Sequence, residues 1–243
     1  MIGRTDWDRE CVKKINADAR YYFCNETLRG EFYSGEWSFE GCEKHSIFVG
    51  SCDYPVKGFH RLLSVLPELL KKYPDIKVYV TGDSPFEAKG FDGFKHRTYY
   101  QVYLKKLIKR GGLADKVIFT GGLSAENMKK RLLSSNLFLL CSSIENSPNT
   151  LGEAMILGVP CVASNVGGVT TMAEDGKDAL IYPFDDNAKM KVCIEKIFDD
   201  AEVAKSLSDN AKKHAKKTHS QETNRSRLLE IYGEILSGGE KSV

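Results

Sequence analysis

The sequence has almost no excess of charge of either sign. Its 243 residues include 35 Lys and Arg against 33 Asp and Glu, which leaves a formal net charge of +2. A nucleic-acid-binding domain usually carries a clear basic excess or a basic stripe. The short basic runs, such as 105–106 and 129–131, fall within helical patterns and are interpreted as solvated helix faces. The composition therefore argues against nucleic acid as a partner.

Long apolar runs are also missing. No stretch approaches the roughly 20 apolar residues that cross a bilayer, and residues 1–10 lack the apolar core of a signal peptide. These absences argue against an integral membrane protein and predict a cytoplasmic one. Peripheral contact with the inner face of the membrane stays open.

Cysteine and histidine are scattered rather than grouped. The seven cysteines are odd in number and include no C-x-x-C pair, and the five histidines show no spacing typical of metal ligands. This distribution argues against a disulfide framework and against a zinc site. Cys141 and Cys161 adjoin apolar segments and are interpreted as small buried residues. We expect neither a metal nor another cofactor.

Short apolar segments alternate with longer amphipathic ones, which is typical of βαβ units around a parallel sheet. The predicted strands are 46–50, 76–80, 116–119, 137–140, 160–163 and 179–182. The predicted helices between them are 58–72, 99–110, 125–134, 150–157 and a short turn from residue 170. The sequence thus predicts an α/β fold with a doubly wound, Rossmann-like parallel sheet.

The two ends of the chain differ from this regular middle. After residue 186 the pattern predicts helices only, at 187–198, 201–217 and 221–236, and the last one has an apolar side that needs a surface to cover. At the front, the pattern predicts a helix that starts near Thr5 and reaches residue 15, a strand at 21–24 and a capped helix at 25–33. We expect this lone strand to lack a sheet of its own.

Ligands of open parallel sheets bind outside the carboxyl ends of the strands, where helix N-termini offer free N–H groups. The loop after the first predicted strand ends in Lys57, at the start of a predicted helix, where a cation is disfavoured by the helix dipole. A phosphate ligand would explain this charge. A solvated surface lysine is an equal alternative.

Two further loops carry candidate ligand groups. After the third strand, Gly121 and Gly122 permit close approach of a planar group, although a plain loop before a capped helix explains them equally well. After the fourth strand, Glu145 and Glu153 lie eight positions apart, and both carboxylates can point into one crevice. The backbone N–H groups of Asn149, Thr150 and Leu151 lie between them and can bind an anion.

Glu153 also has a purely structural interpretation. The pair Thr150 and Glu153 matches a capping box, in which the glutamate reaches back to the Thr150 N–H. Gly158 and Pro160 then end the helix. The local pattern favours this alternative for Glu153, whereas nothing in the apolar surroundings of Glu145 requires an acid.

Residues 145–164, together with Gly167 and Gly168, resemble the E-x7-E segment of the large retaining glycosyltransferase family 4 (group 1), whose members have the two-domain GT-B fold. Supporting matches are SIFVG with Lys57-Gly58, VYVTGDSP, DKVIFTGGL and RLLEIYGEIL, in this order along residues 46–236. The resemblance implies the donor-binding domain of such an enzyme, which transfers a sugar from a UDP- or GDP-sugar to a glycan or lipid-linked acceptor with retention.

The resemblance also implies individual roles. Glu145 would contact the transferred sugar, Glu153 the ribose hydroxyls and Lys57 the diphosphate, without a metal. The other implied contacts are backbone groups near Gly121 and Leu123 with the base, and amides of Asn149, Thr150 and Leu151 with the phosphates. Two positions depart from the family: Ser51 replaces a frequent arginine that clamps phosphate, and Pro148 replaces a frequent glycine and lacks its N–H.

The resemblance divides the chain into a remnant of an N-terminal acceptor domain with its linker (1–41), a nucleotide-sugar domain (42–219) and a crossover helix with a tail (220–243). A complete enzyme of this fold has a full acceptor domain, so we expect the chain to be inactive without a separate one. Two alternatives stay open, namely a non-catalytic nucleotide-sugar binding module and a relative of GT-B nucleotide-sugar epimerases.

Overall fold

A computed structural model describes residues 1–86 and 99–237 of the chain. Its strands are Ile2–Gly3 (β1), Tyr22–Phe23 (β2), Glu43–Val49 (β3), Lys77–Val80 (β4), Val117–Phe119 (β5), Ser135–Leu140 (β6), Cys161–Asn165 (β7) and Leu180–Pro183 (β8). Its α-helices are Asp6–Ile15 (α1), Phe59–Lys72 (α2), Tyr99–Arg110 (α3), Ala125–Ser134 (α4), Asn149–Leu157 (α5), Val169–Met172 (α6), Asn187–Asp199 (α7), Ala201–Thr218 (α8) and Gln221–Leu236 (α9). Two 3-10 helices span Gly30–Tyr33 and Pro55–Lys57.

Strands β3 to β8 form one parallel sheet of six strands. All six residues of β6 are buried, as expected for a strand covered by helices on both faces. Helix α2 covers the sheet with apolar residues at helical spacing, including Leu62, Leu66 and Leu69, which have no exposed surface. The predicted α/β fold with a doubly wound parallel sheet is confirmed.

The strand order is β5-β4-β3-β6-β7-β8. The chain winds outward from β3 to β5 and then returns, so that β6 lies beside β3 and the remaining strands extend the sheet on the other side. The carboxyl ends of β3 and β6 are therefore neighbours at the point where the winding reverses. Ligands of doubly wound sheets bind in the crevice at this point.

Strand β3 begins three residues earlier than the apolar pattern predicts. Its first residues, Glu43–His45, are polar, and the pairing register with β6 shifts between Glu43 and Ile47. His45 has a left-handed backbone with φ of 54°, and its N–H donates to Asn136 Oδ1 at 3.0 Å. This irregularity interrupts the alternation that identifies strands in a sequence.

Two predictions for the N-terminal residues are wrong. The strand near residues 21–24 has a partner, because β2 pairs in parallel with β1 in a separate small sheet. The helix at 25–33 is replaced by a 3-10 helix over Gly30–Tyr33, preceded by Arg29 in an extended conformation. Tertiary contacts explain this change, because Leu28 is buried in the core and Arg29 binds Glu153. The capped start of α1 is confirmed, since Thr5 Oγ1 accepts from the Asp8 N–H at 3.1 Å.

The C-terminal helices α7, α8 and α9 follow the predicted order. On α9 the predicted apolar side is largely exposed, because Ile231 is buried whereas Leu229, Tyr232 and Ile235 are not. The helix contacts the N-terminal residues through Arg227, whose Nε donates to the Phe23 carbonyl at 3.4 Å. In the described ranges, no helix has the length and apolar character that a membrane span requires.

Candidate functional site

A pocket of about 280 Å³ lies at the carboxyl ends of β3 and β6. Five residues predicted from the sequence line it, namely Ser51, Lys57, Glu145, Asn149 and Thr150. They come from two separate segments of sequence, one after β3 and one after β6, which meet because the two strands are adjacent in the sheet. The topology thus brings the first predicted glutamate, the predicted lysine and two of the predicted amides together in one crevice.

An ion pair joins the two charged residues of this pocket. Lys57 Nζ lies 2.7 Å from Glu145 Oε1, and the Ser142 hydroxyl donates to the same oxygen at 2.7 Å. The Glu145 side chain is 12% exposed and that of Lys57 is 36% exposed, so the carboxylate is the more enclosed partner. Lys57 is therefore directed toward Glu145 in the pocket, while part of its side chain stays exposed to solvent.

Lys57 lies before the helix rather than at its start, which corrects the predicted position. It ends the 3-10 helix Pro55–Lys57, and α2 begins at Phe59. Gly58 joins the two with φ of 72°, and a Cβ at this position would lie 1.7 Å from the Cys141 carbonyl oxygen. Only glycine permits this close approach, which holds the Lys57 loop against the end of β6.

The backbone carbonyl of Glu145 is fixed by contacts with Gly167 and Gly168. The Gly168 N–H donates to the Glu145 carbonyl at 3.2 Å. Gly167 has φ of 52°, and a Cβ there would lie 1.7 Å from the same carbonyl oxygen. The glycine pair of the sequence motif therefore packs directly beneath the loop that carries the first glutamate.

The N-terminus of α5 faces the pocket. Within the described ranges, the N–H groups of Asn149 and Thr150 have no hydrogen-bond partner, as expected in the first turn of a helix. The Leu151 N–H differs from the prediction, because it donates to the Pro148 carbonyl at 3.0 Å. Asn149 and Thr150 are thus the amides available to an anion in the structure.

Arg4 places a further positive charge beside this helix terminus. Its guanidinium donates to Asn149 Oδ1 at 2.9 Å and to the Ser147 carbonyl at 3.3 Å. Thr5 Oγ1 donates to Asn146 Oδ1 at 2.8 Å in the same region. Arg4 was missed by the sequence reasoning, because it lies 145 positions from Asn149 and belongs to no local motif.

Glu153 does not form a capping box. Helix α5 begins at Asn149 with Pro148 as its N-cap, so Glu153 is the fifth helical residue. Its side chain is only 3% exposed and does not line the pocket, so the structure does not bring the two predicted carboxylates together there. Arg29 Nε donates to Glu153 Oε1 at 2.7 Å and Arg29 Nη2 donates to Oε2 at 2.9 Å. These hydrogen bonds raise the pKa of Arg29 above its usual value. No short-range pattern reveals this partner, which lies 124 positions away in sequence.

Of the other predicted residues, Ser51 lines the pocket, whereas Gly121 and Leu123 do not. The Ser51 hydroxyl donates to Asp53 Oδ2 at 3.3 Å. The Gly121 carbonyl accepts from the Gly82 N–H at 3.3 Å, and Leu123 packs partly against the core. Gly121 and Leu123 follow β5, which is separated from β3 by β4, so the structure does not bring them into the pocket with Lys57. Their predicted contact with a base stays a prediction.

The structure gives little support for a thiolate nucleophile or a bound metal ion near the pocket. Burial raises the pKa of the Cys141 thiol to about 12, so a thiolate nucleophile is disfavoured near neutral pH. In residues 1–86 and 99–237, no cluster of three His, Cys, Asp or Glu side chains is placed to hold a metal ion. The charged groups that line the pocket are the Glu145 carboxylate and the Lys57 ammonium, and they lie beside hydroxyl groups and the free amides of a helix N-terminus.

A doubly wound sheet with such a pocket at its switch point defines an α/β domain of the kind found in GT-B proteins. Residues 31–214 match the model of the family "Glycosyl transferases group 1". The match covers more than half of the chain, and the chain belongs to this family.

Curated relatives agree with this family assignment, and a solved structure agrees with the fold. Alpha-D-kanosaminyltransferase from Streptomyces kanamyceticus is 27% identical over 179 residues, which are 74% of this chain and 43% of that protein. The putative glycosyltransferase YtcC from Bacillus subtilis is 25% identical over 202 residues, which are 82% of this chain and 47% of that protein. The structure of Anabaena HepE in complex with UDP-glucose has a TM-score of 0.78 and 20% identity, covering 96% of this chain and 63% of that one. The chain spans less than half the length of these two curated relatives.

Proposed function

We propose that this chain is the donor-binding part of a retaining glycosyltransferase that uses a UDP- or GDP-sugar and a glycan or lipid-linked acceptor. The observation that carries the proposal is the Lys57–Glu145 ion pair of 2.7 Å beside the free N-terminus of α5. Both groups lie in the crevice where doubly wound sheets bind nucleotides. Membership of the glycosyl transferases group 1 family supports the same assignment.

The diphosphate of the donor would bind between Lys57 and the N-terminus of α5. The amides of Asn149 and Thr150 and the positive end of the helix dipole favour an anion there. When the bond to the sugar breaks, negative charge increases on the departing diphosphate, and prearranged positive groups stabilise that charge. We propose that Lys57 and this helix terminus do so without a metal ion. An excess of EDTA should then leave the affinity for the donor unchanged.

Glu145 would face the transferred sugar. Its carboxylate is enclosed and held by Ser142 and Lys57 at 2.7 Å each, so its position is set before a ligand arrives. A bound diphosphate would attract the Lys57 ammonium and leave the carboxylate free to accept hydrogen bonds from sugar hydroxyls. Glu153 would accept from the ribose hydroxyls of the nucleotide, on the same side of α5 as its partner Arg29.

The acceptor would bind outside the donor pocket, on a separate domain. The chain matches only 43% to 47% of the length of the two curated relatives named above. We propose that transfer needs a separate N-terminal acceptor domain that docks against residues 1–41 and α9. The exposed apolar side chains of Phe23, Leu229 and Tyr232 support this docking surface.

Calorimetric titration of the chain with UDP, GDP and their glucose conjugates tests donor binding. We expect saturable binding of one nucleotide family, an affinity loss of about tenfold or more in Lys57→Ala, and no change in Lys72→Ala. Lys72 is the matched control because it pairs with Asp199, outside the pocket, at 2.6 Å. Equal losses in both lysine variants, or no binding of any nucleotide, would contradict the proposal.

Transfer itself is tested by adding an N-terminal acceptor domain from a family member and following sugar transfer to a glycan. Restored transfer supports the enzyme. Donor binding without transfer, despite demonstrated docking of the two parts, would favour the non-catalytic binding module. Release of free nucleotide without any acceptor would favour the epimerase relative.

A further inference from the structure

Arg29 contacts Glu153 through two parallel hydrogen bonds. Nε and Nη2 donate to the two different oxygens of the carboxylate, at 2.7 Å and 2.9 Å. The Glu153 side chain is 3% exposed, whereas that of Arg29 is 45% exposed. A bidentate pair of this kind restricts both the position and the plane of the carboxylate. The rotamer of Glu153 is therefore determined by a residue from outside its own helix.

Arg29 is itself held in place by neighbouring side chains. Its guanidinium carbon lies 4.8 Å from the centre of the Phe32 ring, and Nη2 lies 3.2 Å from Met128 Sδ. Phe32 and Met128 both belong to the buried core. The head group of Arg29 thus has a defined position although its side chain reaches solvent. It also precedes residues 31–214, which match the family model.

The pair with Arg29 uses only part of the hydrogen-bonding capacity of the enclosed Glu153 carboxylate. An ionised carboxylate has about four lone-pair directions, and Arg29 uses one on each oxygen. The remaining directions can accept two hydroxyl groups, which is what a ribose offers through its 2′ and 3′ positions. Without Arg29, a carboxylate this enclosed would lose its charge partner and the constraint on its orientation.

We propose that Arg29 is a positioning residue that orients Glu153 to accept the ribose hydroxyls of the nucleotide. This inference rests on the proposed function, because it assumes that Glu153 lies next to the ribose. It assigns a role in the donor site to a residue of the segment 24–41. The opposite arrangement, in which Arg29 blocks Glu153 and must move away, predicts tighter binding when Arg29 is removed.

The experiment compares ribonucleotides with their 2′,3′-dideoxy analogues on the full chain. UDP, GDP and the dideoxy form of each are titrated into the wild type and the variants Arg29→Ala, Arg29→Lys and Glu153→Gln. We expect Arg29→Ala to weaken ribonucleotide binding by about ten- to a hundredfold and to leave binding of the dideoxy form unchanged. The ribonucleotide affinity of Arg29→Lys should lie between those of the wild type and Arg29→Ala, because an ammonium is a point charge that lacks the planar fork of a guanidinium.

A control variant separates this effect from loss of a surface charge. Arg9→Ala removes an exposed arginine that pairs with Asp6 at 3.0 Å on α1, and it should change neither affinity. Thermal unfolding without nucleotide shows whether each variant is folded at the titration temperature. If Arg29→Ala is not folded there, the comparison is made with Arg29→Lys, for which the same selective loss is expected.

The outcomes distinguish this inference from the proposed function. Equal losses for the ribonucleotide and the dideoxy form would assign Arg29 a merely structural role and overturn the inference, as would tighter binding. A selective loss in Glu153→Gln with no change in both Arg29 variants would overturn the inference and leave the proposed function intact. A wild type that binds both forms equally would contradict the ribose role of Glu153, and binding of neither nucleotide would contradict the proposed function itself.

Discussion

Residues 1–23 contact the rest of the chain through a few polar groups, whereas residues 24–41 bury large side chains in its core. Leu28, Phe32 and Trp37 all belong to the main hydrophobic cluster, and the Trp37 Nε1 donates to the Ser135 carbonyl at 2.8 Å. No large apolar side chain of residues 1–23 is buried. Their contacts are polar instead, and they include those of Arg4 and Thr5 with residues 146–149, of the Asp6 N–H with Thr171 and of the Phe23 carbonyl with Arg227.

Residues 1–23 are thus attached by polar contacts and residues 24–41 by apolar burial, and the two segments should differ in how they unfold. Burial of apolar surface contributes most of the stability of a domain, so residues 24–41 should unfold together with the sheet. Residues 1–23 should open locally at a lower free energy, because their contacts are few and polar. Both parts nevertheless contact α5 through an arginine, since Arg29 binds Glu153 and Arg4 binds Asn149.

The largest effect is expected from Phe32→Ala. Truncation of a fully buried phenylalanine removes apolar burial and leaves a cavity, so the free energy of unfolding should fall by about 3–5 kcal/mol. Urea denaturation followed by circular dichroism measures this loss. The matched control is Phe23→Ala, at a site that is 41% exposed, where we expect a change within about 0.5 kcal/mol. Equal losses in the two variants would abolish the distinction between residues 1–23 and 24–41.

A smaller and more local effect is expected from Thr5→Val. The substitution keeps the shape of the side chain but removes the cap of α1 and the hydrogen bond to Asn146 Oδ1. Loss of a cap costs about 1 kcal/mol, and here it should act on the opening of residues 1–23. Hydrogen exchange should become faster in α1 and stay unchanged in β6. Faster exchange in both elements would show that the N-terminal residues unfold with the sheet.

The smallest effect on stability is expected from Arg4→Ala. Its contacts with Asn149, Ser147 and Glu26 lie partly exposed, and such pairs contribute less than about 1 kcal/mol. Urea denaturation should therefore give nearly the wild-type midpoint. A loss comparable to that of Phe32→Ala would mean that the polar contacts of residues 1–23 are as important as the buried core.

The regular part of the fold could be predicted closely from the sequence. Strands such as β6 and helices such as α2 are long enough, and apolar enough in the right period, for local pattern to indicate them. The irregular start of β3 could not be predicted, because His45 and its neighbours are polar and the strand shifts register there. The helix expected at 25–33 was wrong because buried contacts of Leu28 and Arg29 favour an extended chain over the local helical pattern.

The candidate site could be predicted only in part, because some of its residues carry a local sequence signal and others do not. Lys57 and Glu145 are marked in the sequence by unusual charge after a strand, and the amides of Asn149 and Thr150 by helix start signals. Arg29 and Arg4 give no such signal, because each acts on a residue more than a hundred positions away. The role of Glu153 was ambiguous in the sequence, since the capping box and the ligand site use the same residue type at the same place.

The sequence by itself determined the alternation of strands and helices, the loops that hold candidate ligand groups, and the E-x7-E segment, because each depends on neighbouring residues. Only the tertiary structure decided that β3 and β6 lie side by side, which brings Lys57 within 2.7 Å of Glu145. It likewise decided that Glu153 binds Arg29 instead of capping its own helix. The orientation of a buried carboxylate depends on which charge the fold places next to it, and local sequence does not encode that choice.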